Sequence, residues 1–300
     1  MTIELSDPIC VAPTGDVCGE GPVWHADEQV LYWTDINRFL IHRFDPAEET
    51  VKSWFFKEPV TAIVLTDRDD TLAVALGSRV IFWEPRTDKR RDHGFRLDAW
   101  PHVRLNDGRA DPHGLLWAGS MRNNVAPDGS LGEAGGADGV LYSIDRHGNA
   151  RVWKAGIGIS NTLAWSPDGR VFYFADTLAN RICAYDYDAT GSIGNERNFF
   201  SGFERGSPDG SQVDSTGYLW NCRFYGKCIV RVAPNGSIDR IIEMPVSNIT
   251  SCTFGGADLK TVYITTASAN APKGERLAGG LFAIRTSVAG QPENRFRVFR

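Results

Sequence analysis

One phrase comes round six times in this chain. Each copy carries an apolar run, a turn built on small or polar residues, and a strand centred on a large apolar residue. Gly108-Arg-Ala-Asp-Pro-His-Gly leads to Leu116-Trp117, and Ser211-Gln-Val-Asp-Ser-Thr-Gly leads to Leu219-Trp220. The six anchors, Trp33, Leu72, Trp117, Tyr173, Trp220 and Tyr263, stand 39, 45, 56, 47 and 43 residues apart. A period of about 40–50 residues made of short strands is the mark of propeller blades. Alternating strands near residues 40–44, 80–83 and 229–232 follow the anchors, and steps such as Asp45-Pro and Pro234-Asn-Gly supply the turns. No segment sustains a helical period. The expected fold is therefore all-β: a six-bladed β-propeller of four-stranded antiparallel blades around a central channel, with residues 1–300 in a single domain. An N-terminal strand near Ile9–Ala12 would complete the last blade.

Composition narrows the partners. A net charge of −5, with no basic stripe, argues against nucleic acid. No apolar stretch has membrane-spanning length, and the first residues lack a basic region followed by an apolar run. The expectation is a cytoplasmic protein, a monomer or weak oligomer, without membrane association. The six cysteines are spread along the chain with no Cys-x-x-Cys pair, as reduced thiols would be. Residues 122–139 form a polar, glycine-rich insertion in the third repeat. A loop of that length is usually functional or disordered, so a lid over one channel mouth and a tolerated surface insertion both stay open.

The repeats also align a set of polar residues. Counting back from each anchor reaches the position just ahead of the first strand of its repeat. That position holds Glu20, Asn106, Asn161 and Asp209 in four copies, Val60 or Thr61 in the second, and Thr250 or Ser251 in the sixth. Superposed repeats should bring these side chains to one end of the channel. Two carboxylates confined together repel unless one takes a proton or a cation joins them. Oxygen ligands of this kind suit a hard divalent ion such as Ca²⁺, Mg²⁺ or Mn²⁺. Taken singly, each of the four could equally be an ordinary turn or strand-start residue.

These residues resemble the regucalcin/gluconolactonase family of six-bladed propellers. The likeness is carried by Gly19-Glu-Gly-Pro-Val-Trp, Arg104-Leu-Asn-Asp-Gly, Ser160-Asn-Thr-Leu-Ala-Trp-Ser-Pro-Asp-Gly, Ser207-Pro-Asp-Gly and Cys252-Thr-Phe-Gly-Gly-Ala-Asp-Leu. The resemblance implies hydrolysis of a small sugar-acid lactone with one divalent metal ion (Ca, Zn, Mn, Mg or Fe). By motif, Glu20, Asn161 and Asp209 would hold the ion, and Arg104 and Asn106 would contact substrate hydroxyls. Asp209, or hydroxide formed at the ion, would activate the attack. The chain departs from the family pattern in three places. Thr162 follows Asn161 where the family usually has glycine. Arg122-Asn123-Asn124 follows Gly119-Ser-Met where the family often places a carboxylate, which makes Asn124 a candidate substrate contact. Trp220-Asn-Cys-Arg-Phe-Tyr-Gly replaces an apolar, small-residue stretch, and Arg223 in it is expected near the mouth, facing substrate.

Rival chemistries find little support. No Gly-x-Ser-x-Gly elbow, Ser-x-x-Lys or phosphate loop is present. The alternatives that remain are a calcium-binding or regulatory propeller without turnover, a scaffold for protein partners, or a related propeller esterase or phosphoesterase.

Overall fold

The computed structural model describes residues 3–298. Its strands form six four-stranded antiparallel sheets. In each of the first five blades the strands follow chain order from the channel outward; blade 1, for example, runs Gly19–His25, Val30–Asp35, Leu40–Asp45 and Thr50–Phe55. The inner strands of the other five blades are Val60–Leu65, Val103–Ala110, Ser160–Trp165, Ser207–Val213 and Ile249–Gly255. Each inner strand packs against the next, and the sixth packs against the first, so the ring closes. In blade 6 the outermost strand is Ile9–Ala12, paired antiparallel with Leu281–Arg285. The chain's beginning thus completes its last blade. Among the described residues no helix is long and apolar enough to cross a membrane.

The repeated phrase has a local cause. Asp214 accepts the backbone N–H groups of Thr216 and Tyr218 through one oxygen, which shapes the turn. Its other oxygen takes the indole N–H of Trp220 at 2.9 Å and the Arg231 guanidinium at 2.7 Å. Asp111 does the same for the His113–Leu115 turn and for Trp117. Gly114 and Gly217 each close such a turn at φ +87° and +88°, a conformation that costs glycine nothing. One carboxylate therefore ties a hairpin turn to the aromatic anchor six residues on. The anchors Trp33, Trp117 and Trp220 are fully buried between sheets. All six cysteines are free, four of them buried.

The two channel mouths differ. At the C-terminal ends of the inner strands, residues 289–297 run across the ring. Gly290 bridges Asp214, and Gln291 donates to the carbonyls of Trp165 and Val213. Asn294 donates to the Ala110 carbonyl, and the backbone of Phe296 bonds to Leu65 and Asp67. Glu293 is drawn inward and accepts from Gln212 of blade 5 and Thr253 of blade 6. This strap spans the mouth opposite the aligned polar residues.

At the other mouth, the 122–139 insertion forms a small hairpin with Val125 bridged to Leu131. Val125 packs with Ile36 and Phe39 of blade 1, and the Asn37 amide donates to the Gly129 carbonyl at 2.8 Å. The insertion leaves blade 3, passes blade 2 and docks on blade 1.

Candidate functional site

All six inner strands are irregular at the same level. The register slips between Glu20 and Val23, Val60 and Ala62, Leu105 and Asp107, Asn161 and Ala164, Pro208 and Ser211, and Ile249 and Ser251. A bulge re-aims side chains that a regular strand would send into the neighbouring sheet. The aligned residues therefore lie within the inner strands, at the bulges, and not ahead of them as counting from the anchors suggests. In blade 2, Thr61 turns its hydroxyl onto the Ala75 carbonyl; in blade 6, Thr250 donates to the Gly19 carbonyl. Those two copies seal the wall, and the other four supply the polar groups.

Four of the expected residues meet directly. Asn106 donates to the Ser160 carbonyl at 2.9 Å and to Asn161 Oδ1 at 3.3 Å, and accepts from Arg104 Nη1 at 2.7 Å. The Asn161 amide nitrogen donates to Thr177 Oγ1 at 2.8 Å, and that hydroxyl donates to the Pro208 carbonyl. This fixes the Asn161 amide, so Oδ1 is the atom left on the Asn106 side. Arg104 is almost fully buried, with Nε and Nη2 on Asn124 Oδ1 at 3.3 and 2.9 Å. Asn124 is thus the partner of Arg104. Burial pulls the Arg104 pKa down to about 10, which leaves it a cation at neutral pH.

The carboxylates are under strain of a different kind. Burial pushes the Glu20 carboxyl up to about 8, and the neighbouring Asp107 adds to the lift. Burial and the facing Glu20 push Asp209 well above the ordinary carboxylate range as well. The two carboxyls are close enough to share a proton by a side-chain hydrogen bond. Without a cation the pair is held protonated by its own crowding. Two carboxylates and one fixed amide oxygen form a hard, oxygen-only donor set, which fits one divalent ion. Among the described residues no group of three His, Cys, Asp or Glu side chains could hold a metal; here the amide has to complete the set.

Arg223 is elsewhere. It is 1% exposed, and its donors go to Asn221 and Asn180 and to the carbonyls of Arg205, Phe203 and Gly206. It lies inside the wall behind Asp209, so the expectation that it faces substrate at the mouth does not hold. Along the strand Leu219–Phe224 side chains alternate: Trp220 and Cys222 join the blade 6 core, which sends Asn221 and Arg223 to the opposite face.

One site residue, Asp107, is absent from the expectations, and one that they singled out, Thr162, has an unusual backbone. Asp107 is a third carboxyl at the site, half-buried, raised by desolvation and accepting the Gly108 N–H. Its signal was present in the Arg104-Leu-Asn-Asp-Gly motif, beside the residue that was counted. Thr162 sits at φ +56°, where blade 1 has Gly21 at φ +53°. A β-branched residue there carries strain of roughly 1–3 kcal/mol.

Known proteins share this arrangement of strands. A family model described as SMP-30/Gluconolactonase/LRE-like region matches residues 18–268. A pentonolactonase of Haloferax volcanii is 34% identical over 295 residues, 95% of this chain and 96% of its own. A 6-deoxy-6-sulfogluconolactonase of Pseudomonas putida is 35% identical over 298 residues, 96% of this chain and 97% of its own. The crystal structure of a calcium-binding protein, regucalcin, from Agrobacterium tumefaciens superposes with a TM-score of 0.89 at 26% identity, covering 98% of both chains.

Proposed function

The chain belongs to the SMP-30/gluconolactonase/LRE-like family, and from that premise we propose that it hydrolyses a sugar-acid lactone to the open-chain acid with the help of one divalent ion. The observation that carries the reading is the pair Glu20 and Asp209, facing each other across the channel beside the oriented Asn161 amide.

Glu20, Asn161 and Asp209 would hold the ion. When bound, it supplies Lewis acidity to the lactone carbonyl, worth several kcal/mol of charge stabilisation in such sites. The remaining work falls to side chains. Arg104, locked to Asn106 and Asn124, would offer its remaining Nη2 hydrogen to a ring hydroxyl, and Asn106 Oδ1 its second lone pair, so that the two orient the lactone. Asp209 takes the proton of the attacking water. A positioned base contributes roughly 10²–10⁴-fold. With Asn124 where the family often carries a carboxylate, Arg104 keeps its charge uncancelled at that contact. This favours lactones with an acidic or oxygen-rich substituent.

The test is a pH-indicator assay across neutral and acid-substituted aldonolactones, with and without chelator, after subtraction of spontaneous hydrolysis. Proton release that depends on the ion is expected. A fully metal-loaded protein that releases no protons from any lactone sinks the proposal and favours the second reading, a calcium-binding protein without turnover. That reading draws on the likeness to regucalcin.

A further inference from the structure

We propose that Thr162, Ser211, Asn221 and Arg223 form a hydrogen-bond relay that positions Asp209 from behind. This rests on the lactonase reading of the site above. The two departures from the family pattern, at residue 162 and at 221–223, turn out to be the two ends of this one chain of contacts.

The donors can be assigned in order. Thr162 Oγ1 donates to the Asp209 carbonyl at 2.5 Å. Its hydrogen is then spent, so in the 2.9 Å contact with Ser211 Oγ the serine must donate. Ser211 Oγ in turn accepts from Asn221 Nδ2 at 2.9 Å. Asn221 Oδ1 accepts from Arg223 Nη1 at 3.2 Å. Every donor points the same way, from a buried cation to the backbone oxygen of the proposed base. Chains of aligned hydrogen bonds polarise and strengthen one another. Thr162, Ser211 and Asn221 are 0%, 2% and 0% exposed, so water does not compete.

The far end is clamped to the segment from which Asp209 emerges. Arg223 holds the carbonyls of Phe203, Arg205 and Gly206, just before the inner strand of blade 5 begins at Ser207. Asp209 is thereby fixed from both sides: its lead-in by Arg223, its own carbonyl by Thr162. The near end explains a strained residue. Among the described residues Thr162 is the one β-branched residue with positive φ, at a position where glycine would fit freely. Glycine would relieve that strain but lacks the hydroxyl that holds the Asp209 carbonyl. Thr162 also joins blade 4 to blade 5, because the residue before it is Asn161, and so sets the spacing between two of the proposed ion ligands.

The test is a series at one position: Thr162→Ser keeps the hydroxyl, while Thr162→Gly removes the hydroxyl and the strain together. Mn²⁺ affinity by calorimetry, kcat and KM on the best lactone of the panel, and the melting midpoint are measured for each. Loss of an outer-shell contact typically costs 10–100-fold in metal affinity or activity. Thr162→Gly should melt no lower than the wild type, yet lose about 10-fold in Mn²⁺ affinity and in kcat, with KM within about twofold. Thr162→Ser should stay within about threefold of the wild type in both. A purely structural role would move the midpoint and leave Mn²⁺ affinity and kcat alone. A Thr162→Gly protein equal to wild type in both, or a Thr162→Ser protein as impaired as Thr162→Gly, overturns the relay. A wild type that binds Mn²⁺ but cleaves no lactone removes the proposed activity and leaves the Mn²⁺ series to judge the relay. A wild type that binds none of Mn²⁺, Ca²⁺, Mg²⁺, Zn²⁺ and Fe²⁺ overturns both.

Discussion

The crowded carboxyl pair makes the folded protein hold protons that the unfolded chain gives up. Glu20 ionises near 4.5 when free and near 8 in the folded site, because burial and the nearby Asp107 oppose its charge. Below about pH 4.5 both states are protonated, and the site costs the fold nothing in relative terms. Between about 4.5 and 8 the unfolded chain is ionised while the folded one is not, so stability falls as pH rises; above about 8 the loss is complete. At about 1.4 kcal/mol per pH unit the ceiling is about 5 kcal/mol. Glu20 is only partly buried, so we expect about half of that. With about 2.1 cal/mol/K of unfolding entropy per residue over 300 residues, each kcal/mol moves the midpoint by about 1.6 °C. The perturbation is Glu20→Gln, which removes the charge and keeps the shape. Scanning calorimetry in chelator from pH 5 to 8.5 should show the wild type falling about 4 °C relative to the variant. Millimolar Ca²⁺ or Mn²⁺ at pH 8 should restore the wild type, since an ion bound only by the folded state stabilises it by mass action, and should do far less for the variant. Parallel pH curves for the two proteins would refute the reasoning: the carboxyls would then not be pressed together, and no cation would be needed to hold them.

Three further outcomes are expected. Asp209→Asn should lower turnover by at least about 10²-fold while calorimetry still detects Mn²⁺ binding, as fits a base as well as a ligand. Gly129→Ala places a Cβ 2.2 Å from the Asn37 carbonyl oxygen; the hairpin should lift from blade 1, and KM should rise several-fold in steady-state assays with kcat little changed. Asp214→Asn removes one of the two carboxylates on the buried Arg231, leaving Asp239 at 2.7 Å, and loosens the Trp220 anchor. Losing one charged hydrogen-bond partner in the interior costs about 1.5–3 kcal/mol, readable as a lower urea midpoint.

The blade count was legible because each repeat carries a short turn just before its anchor; in blades 3 and 5 an aspartate ties turn and anchor directly, Asp111 to Trp117 and Asp214 to Trp220. The expected closure of blade 6 by Ile9–Ala12 is present, as its pairing with Leu281–Arg285. Glu20, Asn106, Asn161 and Asp209 were found by the same alignment, yet placed ahead of strands they lie within. The bulges add residues that a count along the chain cannot see. Asp107 went unnoticed for that reason, one step from Asn106. Arg223 was misplaced because a cation in a motif looks available, whereas its direction depends on the parity set by Trp220 and Cys222. Most contacts of residues 289–297 join positions more than 70 apart in sequence, and even Glu293 and Thr253 are 40 apart, which no local pattern encodes.

The strap across the far mouth turns the channel into a blind well. A ring of six blades would otherwise be open at both ends, and a small molecule could enter on one side and leave on the other. With Glu293 bonded to Gln212 and Thr253, traffic is confined to the side where the 122–139 hairpin sits. Substrate and product must then use one door in turn, and the opened acid has to back out before the next lactone can arrive. Inhibition by product should accordingly be competitive with substrate, and the hairpin at that door bears on the rate of departure as much as on the choice of guest.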